Sequence, residues 1–271
     1  MPLSPSQTRE LLEQLGHRPK KQLGQNFLID GNIVRKSLEL AQVTPGDHVV
    51  EIGPGLGTLT RALLDAGAIV HAVEFDPTLG AHVARLAADS PNLHLIKGDA
   101  LDHPLGDLPP DTEYKIVANL PYAISTPWMA AVLESQLPSV MTLMLQKEAA
   151  QRYAAKAGTK QFGAISIFLH AAFDILPGHD VSGSCFYPKP DVGSTLLHLR
   201  RKTTPHRFHP ESIQLIREVF QQRRKQISSL LRKAKTDAAT RWLNSLTNIG
   251  IDPTARPEQI DAEKWIQLDK A

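Results

Sequence analysis

The sequence predicts an α/β domain, a mostly parallel sheet with helices on both faces, followed by a small all-α domain. Three observations carry this. Between residues 48 and 145, short apolar runs rich in β-branched residues alternate with stretches of helical periodicity. Four of those runs end at Gly53, Glu74, Asp99 and Asn119, spaced widely enough for a crossover helix between each pair. From Glu211 onward the apolar spacing is helical only, through Ile213, Leu215, Ile216, Val219 and Phe220. The polar, proline-ended stretch Arg201-Lys202-Thr203-Thr204-Pro205 separates the two patterns, so the domains are set at 1–202 and 203–271.

The elements follow in order. Ser4 to Leu15 has Leu11, Leu12 and Leu15 at helical spacing. Pro19 and Gly24 then break the chain into a basic loop carrying Lys20 and Lys21 and ending in Gln25 and Asn26. Asp30 or Asn32 caps a helix through Ile33, Val34, Leu38 and Leu40. His48 to Ile52 is the first buried strand. Gly53-Pro54-Gly55-Leu56-Gly57 follows it and opens a helix near Thr58. This turn departs from a dinucleotide fingerprint, which wants G-x-G-x-x-G. Pro54 removes an N–H that would cradle phosphate, and Glu51 sits at the strand end, where a pyrophosphate is unwelcome. The pattern suits a ligand that carries adenosine and no diphosphate, and it disfavours a nicotinamide-dependent oxidoreductase.

Further strands are predicted at Ala68–Glu74, Leu93–Ile96, Tyr114–Ala118 and Ser139–Leu145, with helices at Gln146–Ala157 and Ile165–Ala172. Thr195–Arg200 reads as a late strand, placed at an antiparallel edge. In parallel βαβ order all four polar strand ends share one edge, where open α/β sheets bind ligands. Glu74 lies where an acid bonds a ribose diol in nucleotide-binding units. Asn119-Leu120-Pro121-Tyr122 is the most informative stretch. Pro121 ends the strand because it has no N–H for the ladder. An Asn oxygen and a flat Tyr ring are then held at the strand end, which suits an adenine gripped by its exocyclic amine.

Composition bounds the rest. A chain of 271 residues with 42% hydrophobic and 21% charged residues has the make-up of a globular protein. Its one cysteine, Cys185, excludes an internal disulfide and a multi-cysteine metal site, and no metal is expected. Cys185 reads as a small buried hydrophobe and not as a nucleophile. No signal-peptide pattern opens the chain, and no apolar run approaches the ~20 residues of a membrane span, so a cytoplasmic location is expected. Between Arg200 and Arg241 twelve Lys or Arg face three acids, a local +9 in a chain of net charge +2. That asymmetry points to a polyanionic partner, most simply nucleic acid.

Several motifs together resemble the ribosomal RNA adenine N6-dimethyltransferases, and within them the branch that modifies the small-subunit (16S) RNA. They are Gln25-Asn26-Phe27-Leu28, Glu51 to Gly57, Gly98-Asp99-Ala100, Asn119 to Tyr122, Phe186-Tyr187-Pro188-Lys189-Pro190 with Val192 and Ser194, and Phe220-Gln221-Gln222-Arg223-Arg224-Lys225. The chain departs from the family at Asp191 and Gly193. The resemblance implies a Rossmann-like domain that uses S-adenosylmethionine, with two adjacent adenines near the 3′ end of 16S rRNA as targets. The RNA would be met within the small ribosomal subunit or its precursor by a monomeric enzyme. It implies Asn119, Leu120, Pro121, Tyr122 and Phe186 at the target base. It implies Asn26, Leu28, Glu51, Gly53, Gly55, Glu74, Asp99 and Asn119 around the cofactor, and Lys20, Lys21, Arg223, Arg224 and Lys225 against RNA. The large-subunit enzyme of the macrolide-resistance type shares the strand-end motifs. A non-catalytic RNA-binding or transcription factor on the same fold is the third reading.

Overall fold

The computed structural model describes residues 3–270. Helix α1 (Pro5–Gln14) starts at Ser4, whose hydroxyl accepts from the Gln7 amide while the Gln7 side chain accepts from the Ser4 amide. A two-residue strand β1 (Phe27–Leu28) follows the basic loop. Helix α2 (Gly31–Leu40) is capped by Asp30, and strand β2 (His48–Ile52) leads into α3 (Thr58–Asp65). Strand β3 (Ile69–Glu74) leads into α4 (Pro77–Ala88), capped by Asp76 with proline at its first position. Then come β4 (Leu93–Lys97), β5 (Tyr114–Asn119), α5 (Ser125–Glu134), β6 (Val140–Gln146) and α6 (Lys147–Tyr153). They are followed by α7 (Ala164–Ala172), β7 (Phe173–Val181), β8 (Phe186–Tyr187) and β9 (Ser194–Arg201). Helices α8 (Pro210–Gln221), α9 (Ile227–Ala234), α10 (Asp237–Ser245) and α11 (Ala262–Asp269) complete the chain.

Seven strands form one sheet in the order β4-β3-β2-β5-β6-β9-β7. The pairs β2–β3, β2–β5, β3–β4 and β5–β6 are parallel, and β9 runs antiparallel to β6. The central strands are buried on both faces, as a sheet covered by helices on both sides requires. Their carboxyl ends lie in register. The Gly53 amide donates to the Val73 carbonyl and the Gly98 amide to the Glu74 carbonyl, so the turns after β2, β3 and β4 sit side by side. β5 pairs with β2, which adds Asn119 to the same edge.

The structure corrects the sequence reading in three places. β9 is not an edge strand, because β7 lies beyond it. Residues 173–181 were not assigned as a strand; Pro177 and Gly178 interrupt the pattern there, and an edge strand tolerates a missing donor. The dipeptide strands β1 and β8 pair antiparallel, Phe27 with Tyr187 and Leu28 with Phe186, and two residues carry no periodicity to read.

The chain divides into two compact units, residues 1–150 with 176–200 and residues 151–175 with 201–271. The sequence boundary at 202 falls close to the second of these junctions, but residues 151–175 group with the helical unit. Helix α7 explains this. It is buried nearly all round, from Ile165 through Ala172, so it needs partners on every side and finds them in α8 and α11. The core of this unit is aromatic: Trp265 lies 5.8 Å from Phe220 and 5.8 Å from Trp242, and Phe220 meets Phe162 at 6.1 Å. Replacing a fully buried tryptophan leaves a cavity as well as losing transfer energy. Trp265→Ala should destabilise the helical unit by about 3–5 kcal/mol. Urea denaturation followed by circular dichroism measures this, and a loss below about 1 kcal/mol would refute the packing described.

Candidate active site

The strand-end edge is built from one glycine turn, the proline turn after β5 and one buried carboxylate. Gly53 has φ 68°, and a Cβ there would stand 3.2 Å from Pro121 Cγ. The turn after β2 is thus pressed against the turn after β5. Gly55 has φ 59°, and a Cβ there would stand 3.1 Å from the Phe27 ring. Both positions need the left-handed backbone that glycine adopts without strain. Glu74 ties the turns together. Its Oε2 accepts from the Gly55 amide at 2.9 Å and its Oε1 from the Asp76 amide at 2.9 Å. Burial pushes the Glu74 carboxyl up from its ordinary value, while these two amides pull it back. Glu51 is more deeply buried, and burial raises it to about 8. The Thr60 hydroxyl donates to it at 2.7 Å, and the neighbouring Glu74 raises it further.

These residues line a cleft of about 250 Å³ beyond the strand ends. Asn26, Leu28, Glu51, Gly53, Gly55, Glu74, Asp99, Asn119 and Pro121 all border it, so the structure brings most of the predicted site together. Among the described residues that line it are four acids, Glu51, Glu74, Asp76 and Asp99, of which Glu51 is neutral below about pH 8, and no Lys, Arg or His. Such a cleft favours a cationic ligand and opposes a diphosphate. Phe75 also borders it and is 59% exposed, which is unusual for an aromatic side chain. Sequence reasoning missed Phe75. The available signal was an aromatic directly after a strand-end acid, where a ring can face the base of a ligand whose ribose that acid holds.

At the target end, Asn119 Nδ2 donates to the Asn26 main-chain carbonyl at 2.9 Å. The Leu120 amide donates to the Met144 carbonyl at 3.2 Å, and the Leu120 side chain is buried. Tyr122 begins a 3₁₀ turn to Ile124, and its side chain lies outside the described residues. Phe186 does not join the cleft. It is 3% exposed and packs in the core with Leu28, because its strand β8 pairs it against β1. Cys185 is buried beside Asp30, and burial followed by that carboxylate raises its thiol, which leaves it unreactive.

The basic residues divide by environment. Lys20 Nζ lies 2.6 Å from Asp76 Oδ2, a carboxylate that is 1% exposed. Burial would raise Asp76, but Lys20, the Leu79 amide and His17 outweigh it and hold the carboxyl low. Lys20 is therefore a clamp that joins the N-terminal loop to the start of α4. Lys21 is nearly fully exposed, and its 3.7 Å approach to Asp191 is a surface pair of little strength. Arg223 is engaged inside its own unit. It donates to the carbonyls of Lys160 and Phe162 at 2.8 and 3.1 Å and pairs with Glu258 at 3.2 Å. Arg224 and Lys225 are exposed and border a polar cavity with Ser229, Thr254 and Arg256.

A mostly parallel sheet of this order, with an acidic cleft at its strand ends, defines a Rossmann-like methyltransferase. The family described as "Ribosomal RNA adenine dimethylase" matches residues 16–270, and the chain belongs to that family. It is 61% identical over 272 residues to "Ribosomal RNA small subunit methyltransferase A" of Opitutus terrae, covering 99% of this chain and 98% of that protein. The protein of the same name from Protochlamydia amoebophila is 40% identical over 276 residues, covering 99% of this chain and 96% of the other. Among solved structures, a dimethyladenosine transferase from Plasmodium falciparum shares the fold with a TM-score of 0.70 at 24% identity, over 89% of this chain and 95% of that one. The 23S rRNA methyltransferase ErmE superposes with a TM-score of 0.65 at 25% identity, over 90% of this chain and 98% of that one.

The buried Glu51 has a consequence for stability. Its folded pKa of about 8 lies above its ordinary 4.5. Its contribution is therefore fully present below about pH 4.5 and is lost as pH rises through 8. Glu51→Gln keeps the acceptor for Thr60 and removes the titration. The variant should gain stability over the native protein progressively from pH 5 to 8, by a few kcal/mol, since each tenfold change in proton affinity between folded and unfolded chain is worth about 1.4 kcal/mol. Urea denaturation across this pH range tests it, and parallel curves for the two proteins would show that the Glu51 carboxyl has the same pKa in the folded and the unfolded chain.

Proposed function

We propose that this protein transfers methyl groups from S-adenosylmethionine to N6 of two adjacent adenines near the 3′ end of 16S rRNA. The product is dimethyladenosine, made during maturation of the small ribosomal subunit. The protein acts as a monomer in the cytoplasm. The observation that carries the chemistry is Asn119, held at a strand end beside an acidic cleft with its amide nitrogen bonded to the Asn26 carbonyl and its oxygen without a partner among the described residues.

The cofactor fits the residues present. S-adenosylmethionine carries one more positive than negative charge, and the cleft offers carboxylates and no cation. Glu74 would hold the ribose hydroxyls through lone pairs that its two amide bonds do not use, Asp99 the adenine amine, and Phe75 the adenine face. Asn26 and Leu28 would close over it. When bound, it supplies an electrophilic methyl group on sulfonium.

This chain's residues solve the problem of the nucleophile. The N6 lone pair of adenine is delocalised into the ring. Acceptors aimed at the N6 hydrogens favour a pyramidal nitrogen with its lone pair available. Asn119 Oδ1 is one acceptor and the Leu120 carbonyl the second, directed by Pro121. Stacking on an aromatic ring, the part that the sequence assigns to Tyr122, would contribute about 1–3 kcal/mol per base. Placing acceptor nitrogen and methyl carbon in line supplies much of the rate. The proton leaves an already alkylated, acidic nitrogen, so a strong base is not needed beforehand. The macrolide-resistance type would use the same machinery on the large subunit, but the 61% relative bears a small-subunit name. Primer extension on small- and large-subunit RNA from cells lacking the protein separates the two. Loss of a stop at adjacent adenines in 16S rRNA supports the proposal, and loss in the large subunit replaces it with the second reading.

Asn119→Ala should abolish methylation while leaving cofactor affinity within a few-fold, read by calorimetry alongside methyl incorporation. Equal loss of both would move Asn119 to the donor side of the site.

Arg224 and Lys225 are proposed to meet RNA phosphates, with Arg223 holding the unit together. Replacing Arg224 and Lys225 with Ala should reduce the salt slope of RNA binding by up to about 1.4–1.8, from roughly 0.7–0.9 per contact. Filter binding against salt concentration measures the slope, and an unchanged value would remove both residues from the interface.

A further inference from the structure

We propose that Asn26 is a positioning residue, whose main-chain carbonyl turns the Asn119 side-chain amide so that its oxygen faces the target amine. The inference rests on the reading of Asn119 as an acceptor for N6.

A carbonyl can only accept. The Asn119 atom 2.9 Å from the Asn26 oxygen must therefore be the amide nitrogen, and chemistry decides an orientation that side-chain shape alone leaves open. The flipped amide would set oxygen against oxygen on the Asn26 side. On the adenine side it would set one NH₂ group against another. One contact thus excludes the unproductive state at both ends.

The Asn26 carbonyl is itself held in place. The Asn26 side chain donates to the Gly24 carbonyl at 3.1 Å, and Gly24 turns the chain with φ 63°. The preceding Gln25 side-chain oxygen accepts from the Lys20 amide at 2.8 Å and lies 3.0 Å from His17 Nε2. The following residues, Phe27 and Leu28, pair with Tyr187 and Phe186. The β1–β8 ribbon, whose Phe27 and Leu28 also border the cleft, thereby gains a second role.

It follows that residue 119 must donate on one side and accept on the other. Asparagine does both at any pH. Aspartate does so only when protonated, its hydroxyl to Asn26 and its carbonyl oxygen to adenine. The protein groups around the position oppose ionisation of such an acid, whereas the sulfonium of the bound donor would favour it. Glu51 on β2, Glu74 on β3, Asp99 after β4 and Asp76 at the start of α4 border the same cleft, which among its described residues has no cation. The β6 residue in register is the uncharged Met144, and β1 and β8 contribute Phe27, Leu28, Phe186 and Tyr187.

The test compares Asn119→Asp with the native protein in single-turnover methylation of small ribosomal subunits that lack the modification. The assay uses saturating S-adenosylmethionine and runs from pH 5.5 to 8.5. The ratio of variant to native rate should rise as pH falls, by up to tenfold per unit above the pKa of the introduced acid. A purely structural role for the contact predicts a flat ratio. A flat ratio, a ratio that rises with pH, or no methylation at any pH by a variant that still binds cofactor overturns the proposal. Should the variant fail to fold, the native protein labelled with ¹⁵N at asparagine provides the second measurement. The Asn119 side-chain amide should exchange with solvent at least tenfold more slowly than that of the exposed Asn92, and equal rates overturn the proposal. Asn119→Ala separates the two levels of inference. If it methylates at the native rate, the reading of the site fails. If it is inactive while the Asp ratio stays flat, only the Asn26 contact fails.

Discussion

One buried carboxylate organises the strand-end edge. Glu74 sits at the end of β3 and accepts from amides on both sides of it, Gly55 in the turn after β2 and Asp76 at the start of α4. Removing it would leave two donors unpaired in a dry place, which costs about 1–3 kcal/mol each. Glu74 thus couples the geometry of the glycine turn to that of the α4 cap. Asp76 then extends the coupling outward to Lys20 and His17, and so to the loop that carries Asn26.

The charge of the cleft follows from this construction. A carboxylate used as a structural acceptor also sets the local field, and three more acids share the cleft. Their mutual repulsion is relieved by burial that keeps Glu51 neutral below about pH 8, by hydrogen bonds at Glu74 and by Lys20 at Asp76. Part of the cost remains in the protein without its ligand. A cationic ligand offsets it, so affinity and selectivity against diphosphates come from the same residues.

Much of this was legible in the chain. The four strand ends, the glycine turn and the Asn119 motif could be read because parallel βαβ order forces successive strand ends onto one edge. The caps at Ser4, Asp30 and Asp76 are local, as each side chain reaches an amide two or three residues away. The resemblance carried by the motifs agrees with the family to which the chain belongs. Other features were not legible because they depend on partners distant in sequence. The β1–β8 ribbon joins dipeptides about 160 residues apart, Pro177 disguised an edge strand, and Arg223 looked free for phosphate until Glu258 and two carbonyls were found beside it.

By itself, the sequence determined the class of fold and which polar residues gather at the strand-end edge. Periodicity and breakers act over a few residues and survive without knowledge of the whole. Only the tertiary structure decided which way those residues face. Phe186 turned into the core because β8 pairs with β1, and the Asn119 amide nitrogen is taken by a carbonyl 93 residues away in sequence. A side chain's identity is local, whereas its orientation is set by whichever donor or acceptor the fold brings against it.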